Sequence, residues 1–208
     1  MLKTNVYIDA FNLYYGWLRN TPYRWLDISK LCDALLTKNQ INQIKYFTAL
    51  VSNRPEDPTQ AIRQQTYLRA LATIPNLKVI KGHYLSHKVM MPLASPQLNG
   101  PKSVKVIKTE EKGSDVNLAS HFLMDAFKKD FEVAVIISND SDLLGPIKMV
   151  KEEFKYRVGI INPQKRPSRV LLQEAMFFKS IRPNLLKESQ FPETMLDAHG
   201  TFHKPPTW

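Results

Sequence analysis

The chain has 208 residues, 43% of them hydrophobic and 23% charged, the profile of a globular domain long enough to bury a real core. No apolar run approaches the roughly 18 residues that cross a bilayer, and the single cysteine, Cys32, rules out both an intrachain disulfide and a cysteine-rich zinc site. Lys and Arg number 29 against 19 Asp and Glu, a formal charge of +10, which favours polyanionic partners and nucleic acid first among them.

The N-terminus enters a strand with no apolar leader, so a cytoplasmic location is the expectation. That strand covers residues 5–8 and stops at Asp9. Residues 10–18 read as a helix or turn rich in aromatic rings. Asp27 is placed to cap an amphipathic helix over 27–36, on which Cys32 is a small core residue. A second apolar strand over 44–51, a helix over 58–74 and a third strand over 77–80 follow. This alternation of β and α predicts a mostly parallel sheet covered by helices on both faces.

Residues 86–104 interrupt the rhythm. They hold Pro92, Pro96, Gly100 and Pro101 without periodicity, and read as a surface loop or extended excursion leading into a short strand over 104–108. Helix returns over 114–128, where Leu118, Phe122 and Ala126 recur at helical spacing. A strand over 132–138, a helix over 143–154, a short strand over 157–161 and an edge strand over 175–180 complete the pattern. Beyond Arg182 come Pro183, Pro192, Pro205 and Pro206 with little pattern, which reads as a tail ordered only if it docks elsewhere. The expected organisation is one domain over 1–182, with an irregular insertion around 86–104, and a C-terminal tail over 183–208.

Two apolar strands end in acid. Val6-Tyr7-Ile8 stops at Asp9, and the run from Val133 to Ile137 stops at Asp140 and Asp142. Open parallel sheets place ligand sites at the carboxyl ends of strands, so if these two strands are neighbours their carboxylates converge. Asp115 lies in the first turn of the next helix and can join them. Like charges at strand tips repel, and desolvation adds to the cost. A hard cation such as Mg²⁺ or Mn²⁺ removes it, because such ions take carboxylate and water oxygens. Three or four carboxylates in one crevice suit metal-assisted attack on a phosphodiester. Taken singly, each acid also suits a duller role: Asp9 and Asp140 as helix caps, Asp115 as a partner of the helix dipole. Asn12 fits orientation of a carboxylate or phosphate, or a plain turn. Ser138 and Ser141 fit hydrogen bonding to the acids or ordinary turns.

Three blocks carry a family resemblance: Tyr7-Ile8-Asp9-Ala10-Phe11-Asn12, Glu111-Lys112-Gly113-Ser114-Asp115-Val116 and Ser138-Asn139-Asp140-Ser141-Asp142-Leu143. In order and spacing they resemble the signature blocks of the NYN domain family, LabA-type proteins included, within the PIN-like nuclease superfamily. The resemblance implies a three-layer α/β/α PIN-like domain and a Mg²⁺- or Mn²⁺-dependent ribonuclease. It places Asp9, Asp115, Asp140 and Asp142 at the metal site and matches Asn12 and Lys112 to further family positions. Two departures matter, the milder being Asn139 and Ser141 where glycines often lie between the final aspartates. His121 stands where many relatives carry another aspartate, and Asp125 replaces it only if the helix turns that way.

For a substrate, the aromatic segment from Phe11 to Arg19, Tyr14 included, suits single-stranded RNA, whose bases stack on rings while cations hold phosphates. Tyr14, Tyr15 and Trp17 cannot all face inward on one helix. Lys165, Arg166 and Arg169 make a basic cluster after the last central strand, the preferred phosphate contact, while Arg54, Arg63, Arg69, Lys102, Lys105, Lys108 and Lys112 are scattered. The pairs His83/His87 and His199/His203 read as incidental, and no phosphate-binding glycine motif is present. The expected protein is a metal-dependent ribonuclease of single-stranded RNA with no membrane partner; a homo-oligomer stays open. A non-catalytic RNA-binding or protein-interaction module of the same fold is the alternative. A phosphohydrolase forming an aspartyl phosphate is disfavoured, because Phe11 rather than an aspartate stands two residues after Asp9.

Overall fold

Val6 and Ile8 alternate with Tyr7 along the first strand, and this period-two pattern sorts the core into two layers. The computed structural model describes residues 1–208. Seven strands form one sheet in the order β4-β3-β2-β1-β5-β6-β7. They are β1 (Leu2–Asp9), β2 (Asn39–Ala49), β3 (Leu77–Pro92), β4 (Ser103–Lys112), β5 (Val133–Ile137), β6 (Arg157–Asn162) and β7 (Phe177–Ser180). All neighbours are parallel except β3 and β4. Helices α2 (Ile28–Leu35), α3 (Gln60–Leu71) and α7 (Pro183–Glu188) pack with Val6, Ile8 and Ile44 on one face. Helices α4 (Ser114–Phe127), α5 (Leu144–Glu152) and α6 (Arg169–Glu174) pack with Tyr7, Phe47 and Ile136 on the other. This is the three-layer α/β/α arrangement that the alternation and the resemblance pointed to. No helix is long and apolar enough to cross a membrane.

The register pairs Ile8 with Ile137, so the tips of β1 and β5 end side by side. After β1, α1 (Ala10–Leu13) passes into a π-helical turn over Tyr14–Leu18, in which Arg19 N–H donates to the Tyr14 carbonyl at 2.7 Å. The wider turn brings Gly16 against the Pro163 carbonyl, too close for any side chain there.

Two expectations are corrected. Residues 86–104 are not irregular throughout: β3 runs on to Pro92 and, after an irregular turn over 93–102, returns as β4, making a long antiparallel hairpin from His83↔Lys112 to Pro92↔Ser103. Its residues are mostly exposed on both faces, so no buried face imposes the alternation by which strands are recognised in sequence. The segment beyond Arg182 is also no loose tail. It forms α7 and a hairpin of β8 (Thr194–Asp197) and β9 (Gly200–His203). Leu186, Phe191 and Phe202 are buried, and Trp25 Nε1 donates to the Pro192 carbonyl at 2.8 Å. Arg69 grips Asp197 through two bonds of 2.7 and 2.6 Å. Its anchors are single residues at irregular spacing, which leave no periodic trace.

Candidate metal centre

Asp9 ends β1 and caps α1. Its carboxylate accepts from the Asn12 backbone N–H at 2.9 Å, the Asn12 side-chain amide at 2.7 Å and the Ser138 hydroxyl at 3.0 Å. The residue is only 3% exposed. Asp140 follows β5 and caps a 3₁₀ turn over Ser141–Leu143, accepting from Asp142 N–H at 3.0 Å, while its own N–H donates to the Ser138 hydroxyl at 3.1 Å. Asp115 opens α4, whose preceding residue Gly113 has φ of +93° and supplies no side-chain cap. Glu111 Oε1 accepts from Ser114 N–H at 3.0 Å instead.

One carboxylate oxygen from each of Asp9, Asp115 and Asp140 lies within 4.8 Å of the other two. The capping and cluster readings of these acids therefore both hold, because the caps are what aim Asp9 and Asp140. Burial, opposed by the hydrogen bonds from Asn12 and Ser138, raises the Asp9 carboxyl above its ordinary range, and Asp140 adds repulsion. Burial and then the charges of Asp9, Asp140, Glu111 and Asp142 push Asp115 up to about 6. Three mutually repelling carboxylates with ligand oxygens within 4.8 Å of one another fit a hard divalent ion, which supplies the opposite charge and takes oxygen ligands.

Asp142 stands just outside this group. It is exposed, adds to the repulsion on Asp115, and engages Asp140 through its backbone N–H. Lys112 turns to Glu110 at 3.5 Å, on the face of β4 opposite Glu111, so Glu111 is the residue of that block that meets Asp115. Asp125 does not complete the centre. It is buried against Lys45 and accepts from the Tyr7 hydroxyl at 2.7 Å. His121 sits over Phe47, with ring centroids 5.7 Å apart, and burial and Lys45 lower its pKa.

Lys165, Arg166 and Arg169 are exposed on the loop and helix after β6. Asn139 holds that loop, donating to the Arg166 carbonyl at 3.0 Å and accepting from Ser168 N–H at 2.7 Å. Gln164 adds a bond to the Asn12 carbonyl at 3.1 Å. Tyr14 packs against the core, and Tyr15, 58% exposed with Arg19 over its ring, is the tyrosine that faces solvent. Tyr84, on the hairpin base, meets Phe11 edge to face with centroids 6.1 Å apart. Arg63 and Arg69 are committed to Asp57 and Asp197. The sequence reading gave no site role to Asn139, Gln164, Glu111 or Tyr84. Only Asn139 and Glu111 carried a signal, since both lie inside the quoted blocks.

Gly82 holds the hairpin base against α4. A Cβ there would lie 2.5 Å from the Lys112 carbonyl and 3.0 Å from Ser114 N, both backbone atoms. Gly82→Ala is expected to destabilise by about 1–3 kcal/mol through overpacking, read by urea unfolding. Because the displaced segment carries Asp115, divalent-ion affinity should fall with it.

A family model described as NYN domain matches residues 3–181. The chain is 31% identical over 237 aligned positions to 6-hydroxy-3-succinoylpyridine 3-monooxygenase HspA of Pseudomonas putida (strain DSM 28022 / S16), covering 100% of this chain and 75% of that protein. Its fold is similar to the crystal structure of a protein of unknown function from Vibrio parahaemolyticus RIMD 2210633, with a TM-score of 0.57 and 17% identity, covering 88% of this chain and 94% of that one.

Proposed function

The chain belongs to the NYN domain family, whose fold is that of PIN-like nucleases, and on that premise we propose that it is a divalent-metal-dependent ribonuclease acting on single-stranded RNA. The observation that carries the reading is the convergence of Asp9, Asp115 and Asp140 at the carboxyl ends of the central strands. Asp9, Asp115 and Asp140 would hold Mg²⁺ or Mn²⁺, with Asp142 beside them. Such an ion offsets charge on the phosphodiester and makes water a nucleophile near neutral pH. Asn12 and Ser138 hold Asp9 in one rotamer, so its position costs no reorganisation during reaction. Asp115, the exposed member, would serve as a ligand or, from the outer shell, as the base that takes a proton from the attacking water. Lys165, Arg166 and Arg169 would hold backbone phosphates, and Tyr15 offers a ring for a base.

A second reading has one observation in its favour, the monooxygenase name of the relative with 31% identity. Ring hydroxylation here would need dioxygen and a two-electron reductant. Oxygen-only ligands suit Mg²⁺ or Mn²⁺ and a phosphate better than the two-histidine, one-carboxylate set of iron oxygenases. Incubation of RNA oligomers with Mg²⁺, Mn²⁺ or chelator, with and without oxygen, separates the readings. Cleavage that needs the metal and ignores oxygen supports the nuclease. Absence of cleavage in both metals, under conditions where Mn²⁺ binds, overturns it.

The metal should also leave a mark on stability. The Asp115 carboxyl rises from an ordinary 3.8 to about 6 in the fold, so the folded state holds this proton more tightly than the unfolded chain. The stability it contributes is full below pH about 4 and lost as pH climbs through about 6. A divalent ion competes with that proton. Mn²⁺ at about 100 times its dissociation constant is expected to add about 2.7 kcal/mol, roughly 5–11 °C in Tm for a chain of this size. The increment should shrink towards pH 5, as differential scanning fluorimetry will read.

A further inference from the structure

The β3–β4 hairpin has features that neither the metal centre nor the core accounts for. It pairs ten residues on each strand, so it reaches about 30 Å. Two-stranded ribbons are marginal on their own in water. This one is held at its base by β2, by the Tyr84–Phe11 contact and by the 2.7 Å bond between the Ser86 and Thr109 hydroxyls. Beyond that base it exposes Met90 at 57% and Ile107 at 72%.

Its two faces differ in charge pairing. On one face Lys108 and Lys112 both engage Glu110. The other face carries Tyr84, Lys88, Met90, Lys105, Ile107 and Glu111. There Lys88 and Lys105 are diagonal neighbours that repel one another, and neither forms an ion pair with a carboxylate. This second face is continuous with the metal centre, because Glu111 on it bonds Ser114 beside Asp115 and Tyr84 on it meets Phe11, two residues after Asp9. In the strand order, β3 and β4 lie on one side of β1 and β5, and the loop bearing Lys165 and Arg166 follows β6 on the other.

We infer that the Lys88/Lys105 face of the hairpin is an arm that holds single-stranded RNA, one end of a track running from the Lys165–Arg169 loop over the acids and out along the hairpin. The inference rests on the ribonuclease reading for its substrate. Charge complementarity supports it: the acids repel a phosphate backbone, and unpaired cations on both flanks hold the strand across them. Single strands suit the arm better than duplex, because exposed Met90 and Ile107 stand beside the lysines, and Tyr84 lies on the same face nearer the base, where they meet unstacked bases that a duplex hides.

The test is equilibrium binding of a labelled single-stranded oligouridylate to the full chain in chelator, where no cleavage competes, over a salt series. Lys88→Gln/Lys105→Gln should weaken binding and flatten the slope of log K against log salt by about 1.4, at about 0.7 per phosphate contact for single strands. Lys38→Gln/Lys187→Gln, which removes the same charge from exposed positions off the hairpin, should leave that slope unchanged. Equal slopes for wild type and the arm variant overturn the proposal, as does an equal loss in the control variant. A hairpin that serves a second copy of the chain would instead show as a changed sedimentation coefficient with RNA binding intact, and that too overturns it. Arm-dependent binding without cleavage in metal would sink the ribonuclease reading and leave the arm standing. Cleavage with an unaltered slope would do the reverse.

Discussion

Asp9→Asn is expected to lower metal-dependent RNA cleavage by on the order of 10²–10³, the loss typical of one preorganised electrostatic group, while the metal-free protein becomes no less stable. The substitution keeps the size of the side chain and an oxygen for the Asn12 backbone N–H. It places an amide where Oδ2 now accepts from the Ser138 hydroxyl and the Asn12 amide. The hydroxyl can rotate to accept instead, but the Asn12 amide loses a partner, at a cost of about 1 kcal/mol. Against this, the variant removes a charge that burial and Asp140 both oppose. Asp9 has a raised pKa in the fold, so its charge weighs against folding once pH exceeds that of an ordinary carboxyl. The variant's relative stability should therefore rise from pH 4 towards pH 7. Scanning fluorimetry with and without Mn²⁺ checks this: the metal-induced gain should vanish and the metal-free Tm hold or rise. An Asp9→Asn variant that cuts RNA at the wild-type rate, in a preparation free of other nucleases, would end the metal-centre reading.

What the sequence disclosed about this centre follows from where physics leaves periodic marks. Asp9 and Asp140 were legible because buried parallel strands are apolar throughout, so an acid at the tip stands out. Asp115 was legible mainly through its block, since an acid in a first helical turn is common. Tyr14 and Tyr15 were harder. A π-helical turn shifts the face each residue presents, and only the structure shows that Tyr15 is the one turned outward. Of the hairpin only a strand over 104–108 was legible, because exposure on both faces removes the alternation, and the docking of residues 183–208 was not, because Phe191, Phe202 and Trp208 converge on Trp25 from scattered positions. Asp125 depended on which way α4 turns, and the fold turns it to Lys45.

That inward turn sets up the largest expected loss of stability. Asp125→Ala should destabilise the fold by about 3–5 kcal/mol, the usual result of stranding one member of a buried ion pair, or roughly 6–20 °C in Tm for a chain of this size. Lys45 and Asp125 are each 6% exposed, and Lys45 Nζ and the buried Tyr7 hydroxyl both donate to the same Asp125 oxygen. Removing the carboxylate leaves an ammonium and a phenol in an apolar layer with Phe122 and Phe131, where neither finds water. His121 lies close by, and burial with Lys45 lowers its pKa, which keeps a second positive charge away from Lys45. The cost arises from the stranded charge rather than from a lost attraction, so Lys45→Met/Asp125→Leu should recover most of it. Urea unfolding of the two variants decides the matter: a double variant as unstable as Asp125→Ala would show that the pair itself holds α4 to β1 and β2. Since α4 carries Asp115 at its other end, the single variant should also bind Mn²⁺ more weakly at temperatures where it stays folded, and the double variant should not.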